Sequence, residues 1–206
     1  MSTSIVNSAG PPAPTRGRPP STSRDHLAGI ALNLFVRHGF EETTLDDIAT
    51  AVGVGRRTLF RYFSSKNDLV WGNFDGVLDR LRAELAAADP SEPMMETLGR
   101  AVVASNTYEG EALEELRLRM TLITSVPALQ AHSMVRYEDW RHVVAEFVAE
   151  RLGLERDDLV PLTVGHMALG TSMAAFVRWV GHPEEDLIGH LRTGYAHLAR
   201  AFADPR

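Results

Sequence analysis

The chain has 206 residues, of which 44% are hydrophobic and 23% charged, and its formal net charge is −6. This composition is typical of a globular protein with a buried core, and it excludes a disordered, collagen-like or highly charged chain. Cysteine is absent from the sequence, which excludes disulfides, Cys-zinc and iron–sulfur sites and a catalytic thiol, and we expect neither a metal nor another cofactor.

The first 22 residues form a distinct segment. They are rich in Ser, Pro, Gly and Thr and contain no apolar run of signal-peptide length. We therefore predict a disordered basic arm over residues 1–22 of a cytoplasmic protein, with Arg16 and Arg18 among its positive charges.

An amphipathic helix is predicted next, beginning at Arg24. Ser23 can accept hydrogen bonds from the first free backbone N–H groups, and Gly39 can end the helix. The apolar residues of this segment recur at intervals of three and four, which places them on one helix face. They are Leu27, Ile30, Ala31, Leu34 and Phe35.

Two short helices joined by a tight turn follow. Thr44 at an N-cap and Asp47 three residues later form a variant of the capping box, and Gly53 ends this helix after about two turns. The turn leads directly into the segment from Arg56 to Phe63. This layout is typical of a helix-turn-helix and predicts DNA binding.

The distribution of charge supports the same interpretation. Residues 1–70 have a net charge of +2 and the remainder has −8, although the whole chain is acidic. The second helix of such a motif lies in the major groove with its N-terminal residues at base edges, so we expect Arg56 and Arg57 to read bases. Three further side chains are expected beside phosphates: Arg61, Tyr62 and Lys66. The alternative is a solvated basic helix face.

The segment from Arg24 to Val70 resembles the TetR family of bacterial transcriptional regulators. The resemblance is carried by Gly39-Phe40, Thr43-Thr44, Ile48-Ala49, Val52-Gly53-Val54, Thr58 to Phe63 and Ser65 to Leu69. It implies an all-α fold in which three N-terminal helices bind DNA and about six further helices dimerise and bind an effector. Gly55 to Phe63, with Val70-Trp71 and Phe74-Asp75, is similar to the branch associated with mycofactocin gene clusters.

The resemblance also implies domains and DNA contacts. The domains are a basic arm at 1–22, a helix-turn-helix domain at 23–68 and an effector-binding and dimerisation domain at 69–206. The implied phosphate contacts are Thr44, Tyr62 and Lys66, and the implied groove contacts are Arg56, Arg57 and Thr58. Arg16 and Arg18 resemble a basic extension that enters the minor groove, with a solubilising tail as the alternative.

Two residues depart from the family pattern. Gly55 stands where members usually have a Ser that caps the recognition helix, so we expect a weaker cap. Phe60 stands where a Tyr often reaches a phosphate, which puts that contact in doubt.

Helical patterns continue through the larger part of the chain. One helix is predicted from Lys66 to about Ala88, and others begin near Glu92, Glu111, Leu129, Asp158 and Glu184. The most apolar stretch, 164–177, is shorter than the roughly 20 residues that a membrane span requires, so we expect no membrane helix.

The last two helices are predicted to form a four-helix interface in a homodimer. Two-fold symmetry suits a DNA reader, because paired helices must reach successive major grooves about 34–36 Å apart. The interface residues expected from the pattern are Met167, Met173, Leu187, Leu191, Tyr195 and Leu198.

A small hydrophobic effector, with an acyl-type molecule as one candidate, is expected to bind in the larger domain. The residues that could line its pocket are Trp71, Phe74, Arg117, Met120, Tyr137, Trp140, His166 and Phe176. The alternative for each of them is an ordinary place in the core.

These patterns together predict a ligand-responsive regulator, a repressor that an effector releases from a palindromic operator. Two alternatives stay open, a small helical enzyme or ligand-binding domain and a protein-interaction module. The sequence contains no nucleophile elbow, phosphate loop or HExxH zinc pair, which argues against an enzyme.

Overall fold

A computed structural model describes residues 23–203, and within that range the chain forms ten α-helices and no strand. The prediction of an all-α fold is therefore confirmed. The helices are α1 Arg24–His38, α2 Leu45–Val52, α3 Arg56–Tyr62, α4 Lys66–Trp71, α5 Phe74–Ala86, α6 Met94–Ser105, α7 Glu111–Ser125, α8 Pro127–Leu152, α9 Leu159–Gly181 and α10 Leu187–Ala203. The predicted arm, with Arg16 and Arg18, lies outside the described residues.

The caps of the first two helices confirm the sequence-based boundaries. The Ser23 side chain accepts from the His26 backbone N–H, and Thr44 and Asp47 form both hydrogen bonds of a capping box. Gly53 ends α2 with a left-handed φ of 76°, a conformation that costs glycine little because it has no Cβ. At Gly55 no side chain caps α3, as expected from the missing Ser.

The prediction of a single long helix from Lys66 to about Ala88 is wrong, because the chain breaks at Gly72 into two helices, α4 and α5. Gly72 has φ 56° and ψ −127°, and a Cβ there would lie 2.9 Å from Arg119 Nη2. The Asn73 side chain then caps α5 by accepting from the Gly76 N–H. Helix α4 is thus a short separate element that packs against α1, α7 and α8.

The larger part of the chain is a bundle of α5–α10. Helix α9 packs between α8 and α10, and α10 also packs against α6. The Tyr195 hydroxyl donates to the Ala168 carbonyl at 2.9 Å and lies 2.9 Å from Ser172 Oγ. Burial raises the pKa of this hydroxyl well above its usual value.

Four of the predicted dimer-interface residues are core residues of the protomer. They are Leu187, Leu191, Tyr195 and Leu198, whose exposed fractions are between 0% and 8%. The apolar pattern of α10 correctly indicates a buried face, but α6 and α9 of the same chain cover that face. These four residues therefore belong to the core of the protomer, and their contact with a second subunit stays a prediction.

Helix α9 is long and apolar enough to span a bilayer by length and composition, with a mean hydropathy of 1.4. The sequence-based expectation considered only 164–177, whereas the helix has 23 residues. In the structure α9 buries Val164, Ala168, Phe176 and Trp179 against neighbouring helices, as the central helix of a bundle does.

Candidate functional site

The predicted DNA-reading side chains share one face of α3. Arg56, Arg57 and Arg61 are exposed, whereas Leu59 is buried against the N-terminal core. Phe60 lies on the same face as the arginines and is 47% exposed, an unusual environment for a large apolar ring. Helix α3 therefore presents three arginines and one aromatic ring to solvent.

Arg56 has two neighbours on this face. Its Nη1 lies 3.4 Å from Asp46 Oδ2 on α2, and its guanidinium carbon lies 5.6 Å from the centroid of Phe60. All three side chains are solvent-accessible, so the ion pair contributes little to stability. Sequence reasoning missed Asp46, since only the packing of α2 on α3 brings residues ten positions apart together.

The other predicted contacts are on α3 itself, at Thr58, Arg61 and Tyr62, and at Thr44, the N-cap of α2. The Arg61 guanidinium carbon lies 5.0 Å from the centroid of the half-buried Tyr62, and Arg61 Nη2 lies 3.4 Å from its hydroxyl. Thr44 is exposed, but its hydroxyl already donates to Asp47 Oδ2 at 2.6 Å. Thr58 is half-buried in the first turn of α3.

Lys66 differs from its predicted role. Its ammonium donates to the carbonyl oxygens of Phe40 at 2.5 Å, Thr43 at 3.1 Å and Glu41 at 3.3 Å, and it lies 4.3 Å from the centroid of the Phe40 ring. An ammonium has three N–H donors, and all three have acceptors within the chain. Lys66 therefore fastens α4 to the turn between α1 and α2, and the predicted phosphate contact is not supported.

The buried carboxylate of Asp68 connects α4 to α8. Asp68 Oδ1 accepts from Arg136 Nη2 at 2.7 Å and lies 3.4 Å from His132 Nε2, while Oδ2 accepts from Ser65 Oγ at 3.0 Å. Burial raises the pKa of Asp68, but the hydrogen bonds from Arg136 and Ser65 and the nearby positive charges outweigh burial and lower it. Asp68 is therefore a carboxylate at neutral pH.

A mainly apolar cavity lies between α4, α5, α7, α8 and α9. Its volume is about 80 Å³, well below the roughly 300–1,000 Å³ of typical ligand sites, so a drug-sized ligand requires the cavity to widen. Six of the predicted effector residues line it: Trp71, Phe74, Met120, Tyr137, Trp140 and Phe176.

Three aromatic rings form one wall of the cavity. The Trp71 ring lies 5.1 Å from Phe74 and 5.2 Å from Tyr137 between centroids, both in edge-to-face arrangements. Burial raises the pKa of Tyr137 far above its usual value. The wall therefore consists of side chains from the α4–α5 junction and from α8.

Two predicted effector residues do not line the cavity. Arg117 donates to the carbonyls of Trp179 and Pro183 at 3.1 and 3.2 Å and lies over the Trp179 ring. His166 is on the exposed side of α9, with Nδ1 2.8 Å from the Leu162 carbonyl. Sequence reasoning missed Arg119, which lines the cavity from the next turn of the same helix face as Leu116.

The outer side of α9 carries the predicted dimer residues that remain at the surface. Met167 is exposed, together with Val160 and Val177, and Gly170 and Ala174 lie between them. Met173, by contrast, lines the cavity, so its predicted place in a dimer interface is not supported. The result is an exposed row of small and apolar side chains along one helix.

Comparison with known proteins identifies both parts of the chain. Residues 92–203 match the family described as the MftR C-terminal domain, and residues 30–70 match the bacterial regulatory proteins of the tetR family. The putative mycofactocin biosynthesis transcriptional regulator MftR of Mycobacterium tuberculosis is 41% identical over 164 residues, which are 80% of this chain and 83% of that protein.

Solved structures of similar fold are also regulators. SmeT, the repressor of the Stenotrophomonas maltophilia multidrug efflux pump SmeDEF, has a TM-score of 0.62 at 20% identity and covers 88% of this chain and 90% of its own. Thermus thermophilus FadR, a TetR-family repressor in complex with lauroyl-CoA, has a TM-score of 0.55 at 23% identity, with 89% of this chain and 96% of that chain covered.

Proposed function

This chain belongs to the TetR family of DNA-binding transcriptional regulators, with an MftR-type C-terminal domain, and from that membership we propose a cytoplasmic, dimeric repressor that an effector releases from DNA. One observation carries the proposal. The exposed face of α3 holds Arg56, Arg57 and Arg61 directly after the glycine turn at Gly53, on an otherwise acidic protein.

The DNA contacts divide into base readers and phosphate contacts. Arg56 and Arg57 at the start of α3 are assigned to base edges, with Thr58 beside them in the groove. Arg61 and Tyr62 in the last turn of α3, and Thr44 at the N-cap of α2, are assigned to the phosphates. The minor-groove contacts of Arg16 and Arg18 stay predictions.

The dimer is assigned to the outer row of α9. This row includes Val160, Met167 and Val177, which are 46%, 38% and 56% exposed. Small residues at Gly170 and Ala174 allow a second helix to approach closely, and in a two-fold dimer the same row of each protomer meets its copy.

The effector site is assigned to the apolar cavity next to α4. Lauroyl-CoA, an acyl thioester, is bound by the FadR structure of similar fold, and we extend that ligand class to this chain. Because the cavity is small, an acyl chain favours a wider state in which Trp71 and Phe74 move with α4 and α5. A 100-fold preference for that state corresponds to about 2.7 kcal/mol of coupling.

A salt titration of DNA binding tests the proposal. The full-length protein is titrated onto the DNA upstream of its own gene and onto shuffled DNA of the same length. A regulator binds the first more tightly, with a steep negative salt slope, and lauroyl-CoA but not CoA weakens the binding. Equal, weak binding to both DNAs contradicts the proposal and favours an enzyme or a protein-interaction module.

A further inference from the structure

Phe60 is a large apolar side chain that the DNA-reading helix leaves in contact with water. Its ring is 47% exposed and, within residues 23–203, lies outside both the hydrophobic core and the half-buried residues that pack on it. The neighbouring Leu59 and Phe63 are buried, so α3 meets the core without the Phe60 ring. Single exposed apolar side chains are common on protein surfaces. The position of this ring therefore has to indicate what it contacts.

The ring lies on the face that carries the base-reading arginines. Phe60 follows Arg56 by four residues and Arg57 by three, spacings that put side chains on the same side of a helix. Side chains that read bases in the major groove recur at such spacings along a recognition helix. Four residues correspond to about 6 Å along the helix, which is close to the rise of two base pairs. Phe60 is therefore placed within about two base pairs of the base that Arg56 reads.

The chemistry of the ring restricts what it can contact. Phenylalanine has no hydrogen-bond donor or acceptor, so Phe60 cannot bind a phosphate oxygen or the polar edge of a base. The C5-methyl group of thymine is an apolar group in the major groove, and phenylalanine is among the side chains that contact it. The Tyr that family members often carry at this position has a hydroxyl for a phosphate, which Phe60 lacks. A thymine methyl group is therefore the partner that suits this ring.

Arg56 and Phe60 are already neighbours before any DNA is bound. The Arg56 guanidinium carbon lies 5.6 Å from the ring centroid, and Arg56 Nη1 lies 3.4 Å from Asp46 Oδ2. The ring and the carboxylate restrict the arginine side chain, which reduces the conformational freedom that it loses on binding a base. Together Arg56 and Phe60 offer a forked hydrogen-bond donor beside an apolar surface.

We propose that Phe60 is a specificity-determining residue that contacts the C5-methyl group of a thymine within about two base pairs of the guanine read by Arg56. The inference rests on the proposed function and adds a kind of base that α3 selects. Burial of one methyl group corresponds to about a fourfold change in affinity, and the two half-sites of a dimer together to about fifteenfold.

DNA made with uracil in place of thymine tests the contact. Uracil keeps the hydrogen-bonding edge of thymine and lacks only the methyl group, so the DNA upstream of the protein's own gene is amplified once with dTTP and once with dUTP. The full-length protein should bind the thymine DNA about fifteenfold more tightly than the uracil DNA. Phe60→Ala should bind the two DNAs within about twofold, whereas Phe60→Leu, which keeps an apolar side chain, should retain a preference of about fivefold.

Arg61→Ala is the matched control, because Arg61 lies on the same helix and is assigned to a phosphate. It should lose affinity for thymine DNA and uracil DNA alike and keep the preference of about fifteenfold. Shuffled DNA of the same length, made in both forms, should show no more than about a twofold difference with any of these proteins. Single uracil substitutions should then locate the effect at one thymine in each half-site.

Three results would contradict the contact. The original protein binds thymine and uracil DNA equally, Phe60→Ala keeps the full preference, or the sensitive thymine lies more than about two base pairs from the base whose replacement leaves Arg56→Ala unaffected. A protein that prefers the upstream DNA to shuffled DNA but ignores the methyl groups refutes only this inference. Equal binding to upstream and shuffled DNA refutes the proposed function and this inference with it.

Discussion

Asp68 and Arg136 form an ion pair between the two parts of the chain, with Arg136 Nη2 2.7 Å from Asp68 Oδ1. Asp68 belongs to α4, which packs on the DNA-binding helix α1, and Arg136 belongs to α8 of the bundle. The side chains are 9% and 21% exposed, so water screens the pair only in part. This pair holds α4 on the bundle, next to the wall of the cavity.

Arg136→Ala should lower the free energy of unfolding by about 3 kcal/mol, because it leaves the Asp68 carboxylate buried without its main partner. Urea unfolding measures the loss. Arg82→Ala is the matched control, since Arg82 pairs with Asp79 at 3.2 Å on the surface and should cost less than about 1 kcal/mol. Equal losses in the two variants would show that the Asp68 pair is no stronger than a surface pair.

The loss of stability in acid should depend on the same carboxylate, that of Asp68. The pKa of Asp68 is lowered in the folded protein, whereas an Asp in an unfolded chain has a pKa of about 3.9. The stabilisation is therefore complete above the unfolded value and is lost as the pH falls through the lower folded value. Unfolding followed by circular dichroism below pH 5 should show a shallower loss in Asp68→Asn, and identical slopes would contradict this.

Lys66→Met should destabilise the N-terminal helices without changing the salt dependence of DNA binding. The ammonium donates to three carbonyls, and removing it costs about 2 kcal/mol. A phosphate contact predicts the opposite pattern, a salt slope shallower by about one with little loss of stability. Thermal unfolding and a salt titration of the same variant decide between the two.

Arg56→Ala should cost about 1–3 kcal/mol of operator affinity and relax the preference at one base position. The comparison is Arg61→Ala, which should weaken binding to operator and shuffled DNA alike, because Arg61 is assigned to phosphates. Competition binding with single-base operator variants measures the loss of affinity and the base preference of each variant. If the two variants lose affinity equally on every DNA, the division into base readers and phosphate contacts is wrong.

Gly99→Ala should destabilise the bundle by about 1–3 kcal/mol through overpacking. A Cβ at Gly99 would lie 2.9 Å from Tyr195 Cβ, an atom next to the backbone that cannot swing away. Gly29→Ala is the control in α1, where a Cβ meets nothing within 4 Å. There the better helix propensity of Ala should raise stability by up to about 1 kcal/mol.

The sequence alone determined what depends on neighbours within a few residues. Ser23 and Thr44 cap their helices because cap and N–H are three residues apart, and the spacing of Arg56 and Leu59 fixes opposite faces of α3. For the later helices, α6–α10, the predicted first residues lie within three residues of the observed ones, although the break at Gly72 was missed. These features are local, so no tertiary contact is needed to choose them.

Only the tertiary structure decided which partner each side chain meets. The pattern of α10 marks Leu191 as buried, but not whether α9 of the same chain or a second subunit covers it. The ammonium of Lys66 binds carbonyls at least 23 residues away, and Arg119 rather than Arg117 lines the cavity. Periodicity specifies a face and its polarity, whereas the packing of whole helices against one another specifies the contact.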